Sequence, residues 1–173
     1  MPMSYARPDP EAHLTELSTQ LSLTGPGVGL LTGVDVHDVV SAAEDGVHVY
    51  ATVGLGAPIR AAEPGVTGFA HRPGTINIVV WIPQHLSAGA LINTIATATE
   101  AKVQALAELG LSATGTATDA ICVLCPATGD PAAYGGPRSR WGAPMARAVL
   151  SAVRSGGATN LTTGRSWSDR HQK

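Results

Sequence analysis

The chain has 173 residues and a formal net charge of −2 at pH 7, and only 4% of its residues are aromatic. This length fits one domain with an aliphatic core that needs no disulfide bonds. The absence of clustered basic residues argues against a nucleic-acid partner. Because no apolar run or signal-like N-terminus indicates a membrane span or secretion, we expect a cytoplasmic protein.

The first half of the chain is predicted to contain one helix and three strands. Hydrophobic spacing favours a helix over residues 8–23, then strands over 28–36 and 46–55, with a short helical turn at 39–43 between them. Residues 75–82 form the clearest strand. This strand is apolar on both faces, so we expect it to lie at the centre of the sheet with both sides covered.

The second half alternates between helices and strands. A long helix is predicted from Ser87, which can cap it, to about residue 109, and a buried strand over residues 120–125. A last helix is expected over 142–154, followed by a disordered tail at 156–173. The resulting order predicts an α/β fold: a single domain over residues 1–155, in which helices, one of them long, pack on a mixed β-sheet of about four to five strands.

Cys122 and Cys125 have the C-x-x-C spacing that is typical of redox and metal sites. Both fall in a predicted strand, where side chains three positions apart point to opposite faces. We therefore expect two buried thiols that form neither a disulfide bond nor a shared metal site.

The long helix carries the strongest candidate for a functional residue. At 100° per residue, Lys102 lies about 40° and Thr99 about 20° from the centre of the apolar face. A buried ammonium needs a carboxylate or a cavity, unless the lysine extends its head to solvent. The residues that define this apolar face are Leu91, Ile92, Ile95, Val103, Leu106 and Leu109.

Two acidic residues near this helix are candidates for acid–base chemistry. Glu100 lies about 120° from the same centre, and residues two apart on a helix do not face each other, so it is not the expected partner of Lys102. Asp119, which opens the strand after the helix, is the natural partner. Each also has an ordinary structural interpretation, Glu100 as a solvated residue and Asp119 as a turn cap.

Polar residues also gather before two of the strands. Thr116 and Thr118 follow a glycine and precede a buried strand, which suits either a polar ligand or a tight turn. Thr75 and Asn77 share one face of the strand at 75–82, where the buried amide must have a partner in the protein or in a ligand. His71, just before this strand, can titrate near neutral pH.

Asp35, His37 and Asp38 follow a predicted strand and are of types that bind metals, but their spacing matches no standard metal motif. The chain also lacks a Gly-x-Ser-x-Gly elbow and a His-Glu-x-x-His motif, which disfavours a serine triad and a zinc protease. Thr, Lys, Asp, Glu and Asn side chains therefore remain as the chemical groups, and no metal site is predicted.

Five segments between residues 26 and 154 resemble, in order and spacing, motifs of the adenosylcobinamide amidohydrolase family. They are Gly29-Leu30-Leu31-Thr32, Ala51-Thr52-Val53-Gly54-Leu55, Gly74-Thr75-Ile76-Asn77-Ile78-Val79-Val80, Thr97-Ala98-Thr99-Glu100-Ala101-Lys102 and Gly115-Thr116-Ala117-Thr118-Asp119-Ala120. Longer members of the family carry a further upstream segment, which we expect this chain to lack.

The resemblance implies hydrolysis of adenosylcobinamide to adenosylcobyric acid and aminopropanol in cobalamin salvage. It implies a small-molecule corrinoid as the partner, and no separate cofactor because the substrate itself carries cobalt. A homodimer is expected because closed dimers are common among soluble oligomers. Two alternatives remain open: a corrinoid-binding module without catalysis, and an amidase for another small amide.

Amide hydrolysis needs a base, a proton donor for the amine and stabilisation of an oxyanion. In our hypothesis, Glu100 or Asp119 activates water, while Lys102 stabilises the oxyanion or orients the acid. A threonine nucleophile assisted by Lys102 is a variant. The residues expected to bind substrate are Asp35, His71, Thr75, Asn77, Thr99, Thr116 and Thr118.

Overall fold

The computed structural model describes residues 5–64 and 74–164. Its four strands form one mixed sheet in the order β1-β2-β3-β4, in which the first two pairings are antiparallel and β3 pairs with β4 in parallel. The α/β class and the mixed sheet are as predicted. The strands are β1 (Val40–Glu44), β2 (Val47–Val53), β3 (Ile76–Trp81) and β4 (Ala120–Leu124), and the helices are α1 (Pro10–Gln20), α2 (Ala88–Glu108) and α3 (Gly142–Thr163).

The core lies between the sheet and two helices. Helix α3 packs on β1, β2 and β3, while α2 packs on α3 and β4. Because side chains alternate along a strand, every second residue of β2 and β3 faces these helices. The fully buried side chains of this inner face include Val47, Val49, Ile76, Ile78 and Val80.

The other side of the sheet, which we call the outer face, is covered less than the sequence predicts. Trp81 is 39% exposed, Tyr50 is 48% exposed and Val79 is half-buried. The expectation that β3 is covered on both sides is therefore wrong, because both α2 and α3 pack on the inner face. By register, the outer face consists of Ser41, Ala43, His48, Tyr50, Thr52, Asn77, Val79, Trp81, Ala120, Cys122 and Leu124.

The start of the sheet also differs from the prediction. Residues 28–35 form no strand, and the predicted helical turn at 39–43 is instead part of β1. Asp45 and Gly46 connect β1 to β2 with φ values of 48° and 82°. An Asp-Gly pair favours a two-residue hairpin of this kind, and this local signal outweighs the weak helical pattern before it.

Helix α2 buries small side chains, so its predicted apolar face is wrong in detail. Ile92 is 75% exposed, Ile95 and Thr99 are also exposed, and Lys102 is buried as predicted. The buried face of α2 packs closely against the backbone of Gly135. A Cβ atom added to this glycine would overlap Thr94, so only a glycine fits there. The buried residues of α2 are Ala90, Thr94, Thr97, Ala98, Ala101, Lys102, Ala105 and Leu106.

Helix α3 is longer than predicted, because it continues past residue 154 to Thr163. Gly156 lies against Val53 and Gly157 against Leu109, too close to accommodate larger side chains. Small and polar residues at these contacts hide the helical period. Residues 165–173 of the predicted tail lie outside the described residues.

The two cysteines are free and half-buried rather than fully buried. Desolvation by burial raises the pKa of the Cys122 thiol. Within residues 5–64 and 74–164, no helix has both the length and the apolar character needed to cross a membrane.

Candidate active site

A buried ion pair joins α2 to the turn before β4. Lys102 Nζ donates to Asp119 Oδ2 at 2.5 Å, and the side chains are only 9% and 10% exposed. Asp119 is therefore the partner that the sequence predicts for Lys102. A carboxylate at this position compensates a lysine that would otherwise be costly to bury.

Three further donors surround the Asp119 carboxylate. The backbone N–H of Ile76 donates to Oδ1 at 2.9 Å, and that of Thr116 donates to Oδ2 at 3.1 Å. The Thr116 hydroxyl donates to Oδ1 at 2.5 Å. A carboxylate has about four acceptor positions, so together with Lys102 these donors occupy all of them. The arrangement connects α2, β3 and the turn before β4, and we call Lys102, Thr116 and Asp119 the Asp119 cluster.

Gly115 allows this cluster to form. Its carbonyl accepts from Ile59 N at 2.8 Å, and its own N–H donates to Ile59 O at 3.3 Å, which holds the turn in place. A Cβ atom at this position would overlap Asp119 Oδ2 and lie 2.6 Å from Lys102 Nζ. The glycine is therefore required by close approach to the ion pair rather than by an unusual backbone angle.

A pair of threonine hydroxyls lies next to the cluster. Thr75 Oγ1 and Thr118 Oγ1 are 2.6 Å apart, and Thr118 also donates to Gly74 O at 3.3 Å. Thr118 is exposed and Thr75 is half-buried. Each threonine is adjacent in sequence to a residue of the Ile76–Asp119 hydrogen bond, so this hydroxyl pair lies next to the Asp119 cluster.

Asn77 and Asp35 are buried, and the hydrogen bonds of their side chains include backbone groups of residues 31 and 37. Asn77 Nδ2 donates to Leu31 O at 2.8 Å. Asp35 Oδ1 accepts from His37 N at 3.0 Å and so caps the short 3-10 turn Val36–Asp38. Asn77 lies on the outer face of the sheet, whereas Lys102 reaches Asp119 from the helix side.

Glu100 and Thr99 are exposed on α2. The Thr99 hydroxyl donates to Ile95 O at 2.9 Å within its own helix. Glu100 has no hydrogen bond or ion pair in the part of the chain that the structure describes, and two positions along a helix turn it away from Lys102. The structure therefore does not bring these two residues to the Asp119 cluster. His71 lies outside the described residues.

Thr52 is a polar core residue that sequence reasoning did not select. It is 9% exposed, and its hydroxyl has no hydrogen-bond partner among residues 5–64 and 74–164. In the sheet register it lies directly opposite Asn77. Its position as a polar residue in an apolar strand, within the family-like motif at residues 51–55, was the available signal.

A shallow cavity of about 480 Å³ adjoins the turn that carries Gly115, between residues 60–62 and 111–114. The Arg60 guanidinium, at its rim, donates through Nε to Ser112 O at 3.1 Å. Among the described residues, no three His, Cys, Asp or Glu side chains are grouped closely enough to hold a metal ion.

Comparison with known proteins agrees with the motifs at this site. A sequence model of the family described as adenosylcobinamide amidohydrolase matches residues 1–165, which include every residue of the Asp119 cluster. The chain belongs to the adenosylcobinamide amidohydrolase family. The family places it among the hydrolases that act on amide bonds.

Two relatives bear the family's name. An adenosylcobinamide amidohydrolase of Methanosarcina mazei is 29% identical over 165 residues, which cover 90% of this chain and 78% of the relative. One of Halobacterium salinarum is 39% identical over 134 residues, which cover 73% of this chain and 56% of the relative. No solved structure matches the chain significantly.

Proposed function

We propose that this chain hydrolyses the amide bond that links aminopropanol to the corrin ring of adenosylcobinamide, and that the reaction serves cobalamin salvage. The products are adenosylcobyric acid and aminopropanol. The family match and the names of both relatives support the reaction. The observation that carries the site is the buried Lys102–Asp119 pair, whose carboxylate also accepts the Thr116 hydroxyl.

The hydrogen bonds around Asp119 suggest how its basicity reaches the substrate. Lys102 and two backbone N–H groups occupy three acceptor positions, and the fourth accepts the Thr116 hydroxyl, a neutral group that can relay a proton between water and the carboxylate. In this proposal, water gives a proton to Thr116 Oγ1 while the threonine proton moves to Asp119. A base oriented by a third group is the usual arrangement for activating a nucleophile.

The remaining steps follow from amide chemistry. The water oxygen adds to the carbonyl carbon, the carbon–nitrogen bond breaks, and the proton held by Asp119 returns through Thr116 to the leaving amine. Lys102 orients the carboxylate throughout. The Thr75 and Thr118 hydroxyls, at the accessible side of the cluster, bind the substrate amide.

Glu100 and Asp119 are the two candidates that the sequence offers for the base that activates water, and the geometry favours Asp119. Asp119 is held by four donors beside accessible hydroxyls, whereas Glu100 is exposed and has no partner within the described residues. Glu100→Gln is therefore the variant that decides between them.

The test is incubation of the purified protein with adenosylcobinamide, read by mass spectrometry. We expect adenosylcobyric acid from the wild type and from Glu100→Gln, and a loss of at least about a hundredfold in Asp119→Asn and Thr116→Val. Thr162→Val, which alters an exposed hydroxyl bonded within α3, is the matched control. No product from the wild type would overturn the reaction. Loss of activity in Glu100→Gln with full activity in Thr116→Val would move the base to Glu100.

Binding of a corrinoid without turnover is the second candidate. The observation that favours it is the full occupation of the Asp119 carboxylate by protein donors, which leaves no acceptor position for water. A change in corrin absorbance on mixing, with no product after long incubation, would identify this function.

A further inference from the structure

The outer face of the sheet changes in character from one end to the other. At the end next to the Asp119 cluster it borders the paired hydroxyls of Thr75 and Thr118, and its first row on β2 and β3 is Thr52 opposite Asn77. The next rows contain apolar and aromatic side chains. Since a strand advances about 3.3 Å per residue, rows on one face are about 7 Å apart. The face is therefore a polar strip continuous with an apolar one.

The polar strip contains a buried hydroxyl that the protein leaves unused. Thr52 is 9% exposed, and its Oγ1 has no hydrogen-bond partner in the described chain. Buried hydroxyls are nearly always paired, because an unpaired one gives up its hydrogen bonds to water without replacement. An unpaired hydroxyl beside a candidate site therefore indicates a group that is hydrogen-bonded when a ligand is present.

Asn77 provides complementary groups next to this hydroxyl. It is 6% exposed, and the structure shows one hydrogen bond from its side chain, donated by Nδ2 to Leu31 O. Within residues 5–64 and 74–164, no hydrogen bond engages its Oδ1 or its second N–H. Residues directly opposite each other on antiparallel strands have Cβ atoms about 5 Å apart, so one small group can contact both Thr52 and Asn77.

The apolar strip is open to solvent. Tyr50 is 48% exposed, Trp81 39% and Leu124 46%, and the register places all three on the outer face. Val79 and Cys122 lie beside them and are half-buried. Exposed aromatic and aliphatic side chains on one face of a sheet suit a wide, apolar molecule.

We propose that the outer face is the binding site for the corrin ring, with Thr52 and Asn77 holding one of the carboxamides at its edge. This inference rests on the proposed function for the identity of the ligand. A carboxamide has both a donor and an acceptor, which match the Asn77 amide and the Thr52 hydroxyl. The ring then lies over Tyr50, Trp81 and Leu124.

This placement explains why the polar residues lie on two sides of the sheet. The ring remains on the outer face, and the side chain that carries the scissile amide extends over the end of the sheet, past Thr75 and Thr118, to the Asp119 cluster. Thr52 and Trp81 are then determinants of binding, whereas the reacting atoms are placed at Thr116 and Asp119.

The test is equilibrium dialysis of the full chain with adenosylcobyric acid, which lacks the scissile amide, so that binding is measured without turnover. We expect the dissociation constant to rise at least about fivefold in Thr52→Val and tenfold in Trp81→Ser. Ile92→Ser, which alters an exposed apolar residue of α2, is the matched control and binds like the wild type.

Thr52→Val should also melt no lower than the wild type, because a hydroxyl that serves only the ligand contributes nothing to the free protein.

The outcomes separate this inference from the proposed function when hydrolysis of adenosylcobinamide by the wild type is measured in parallel. If the wild type hydrolyses the substrate but Thr52→Val and Trp81→Ser bind as it does, the outer face is not the site and the reaction stands. If binding weakens in both variants but no hydrolysis occurs, the site stands and the reaction fails. If the wild type does not bind adenosylcobyric acid, the proposed site on the outer face is wrong. It is also wrong if Thr52→Val loses stability together with binding.

Discussion

Lys102 Nζ lies 2.5 Å from Asp119 Oδ2, and this contact connects the middle of α2 to the turn that opens β4. The residues are 17 positions apart in the chain, yet their pairing brings the helix, the Gly115 turn and the first residue of β3 to one point. The ion pair is therefore expected to contribute both to the stability of the fold and to the geometry of the site.

Removal of the Asp119 charge should destabilise the protein strongly. Breaking a buried pair leaves the other charge uncompensated and costs about 3–5 kcal/mol, so we expect Asp119→Asn to lower the free energy of unfolding by this amount in urea titrations. Lys102→Met, which leaves Asp119 with three donors, should cost less. In a double-mutant cycle the coupling energy should exceed about 1 kcal/mol.

The exposed Arg154–Glu108 pair, with Nη1 and Oε2 3.1 Å apart, is the matched control for that cycle. Exposed pairs contribute about 0.2–1 kcal/mol, so its coupling should be smaller. Equal coupling energies for the two pairs would contradict a special role for burial at Lys102.

Gly115→Ala should disrupt the Asp119 cluster. The added methyl group would overlap Asp119 Oδ2, which is held by its donors and cannot move freely, and would displace Lys102 Nζ. We expect hydrolysis of adenosylcobinamide to fall at least about tenfold, because small displacements of reacting groups reduce rates strongly. At Gly27 a Cβ atom would meet no atom within 4 Å, so Gly27→Ala should retain activity. Similar rates for the two variants would show that the turn does not position the site.

Asn160→Ala should reveal that the end of α3 belongs to the folded domain. Asn160 Oδ1 accepts from the backbone N–H of Leu55 at 2.8 Å, and Leu55 is buried. A buried donor left without a partner costs about 1–3 kcal/mol, and we expect a loss of this size in thermal or urea unfolding. Thr159→Ala, at an exposed position whose hydroxyl bonds within α3, should have little effect. If Asn160→Ala is as stable as Thr159→Ala, the last turns of α3 are dispensable.

Cys122 should react slowly with iodoacetamide in the native protein. Desolvation raises the pKa of its thiol, and the thiolate is the reactive form, so at a given pH fewer molecules are reactive and the rate rises only at higher pH than for a free thiol. The measurement is the rate of alkylation between pH 7 and 10 in a Cys125→Ser protein, with and without denaturant. Equal rates in both conditions would mean that burial does not protect the thiol.

The sequence alone determined those features that depend on local pattern. The alternation of β2 and the apolar run of β3 indicated two strands of a mixed sheet, and helical spacing placed Lys102 on a buried face with Asp119 as its partner. Motifs of short range were also sufficient to indicate the family. The strands and the burial of Lys102 follow from side-chain period, and the structure reproduces both, together with the Lys102–Asp119 contact.

Tertiary structure decided which surfaces meet, because contact distances between distant segments leave no trace in local periodicity. Ile92 and Ile95 are exposed while Thr94 is buried, and at Thr94 α2 lies so close to the backbone of Gly135 that only a glycine fits there. The Ile76 N–H that bonds Asp119 comes from 43 residues away. The register of the sheet likewise places Asn77 and Thr52 together on the face opposite Lys102, and so separates residues that the sequence had grouped in one site.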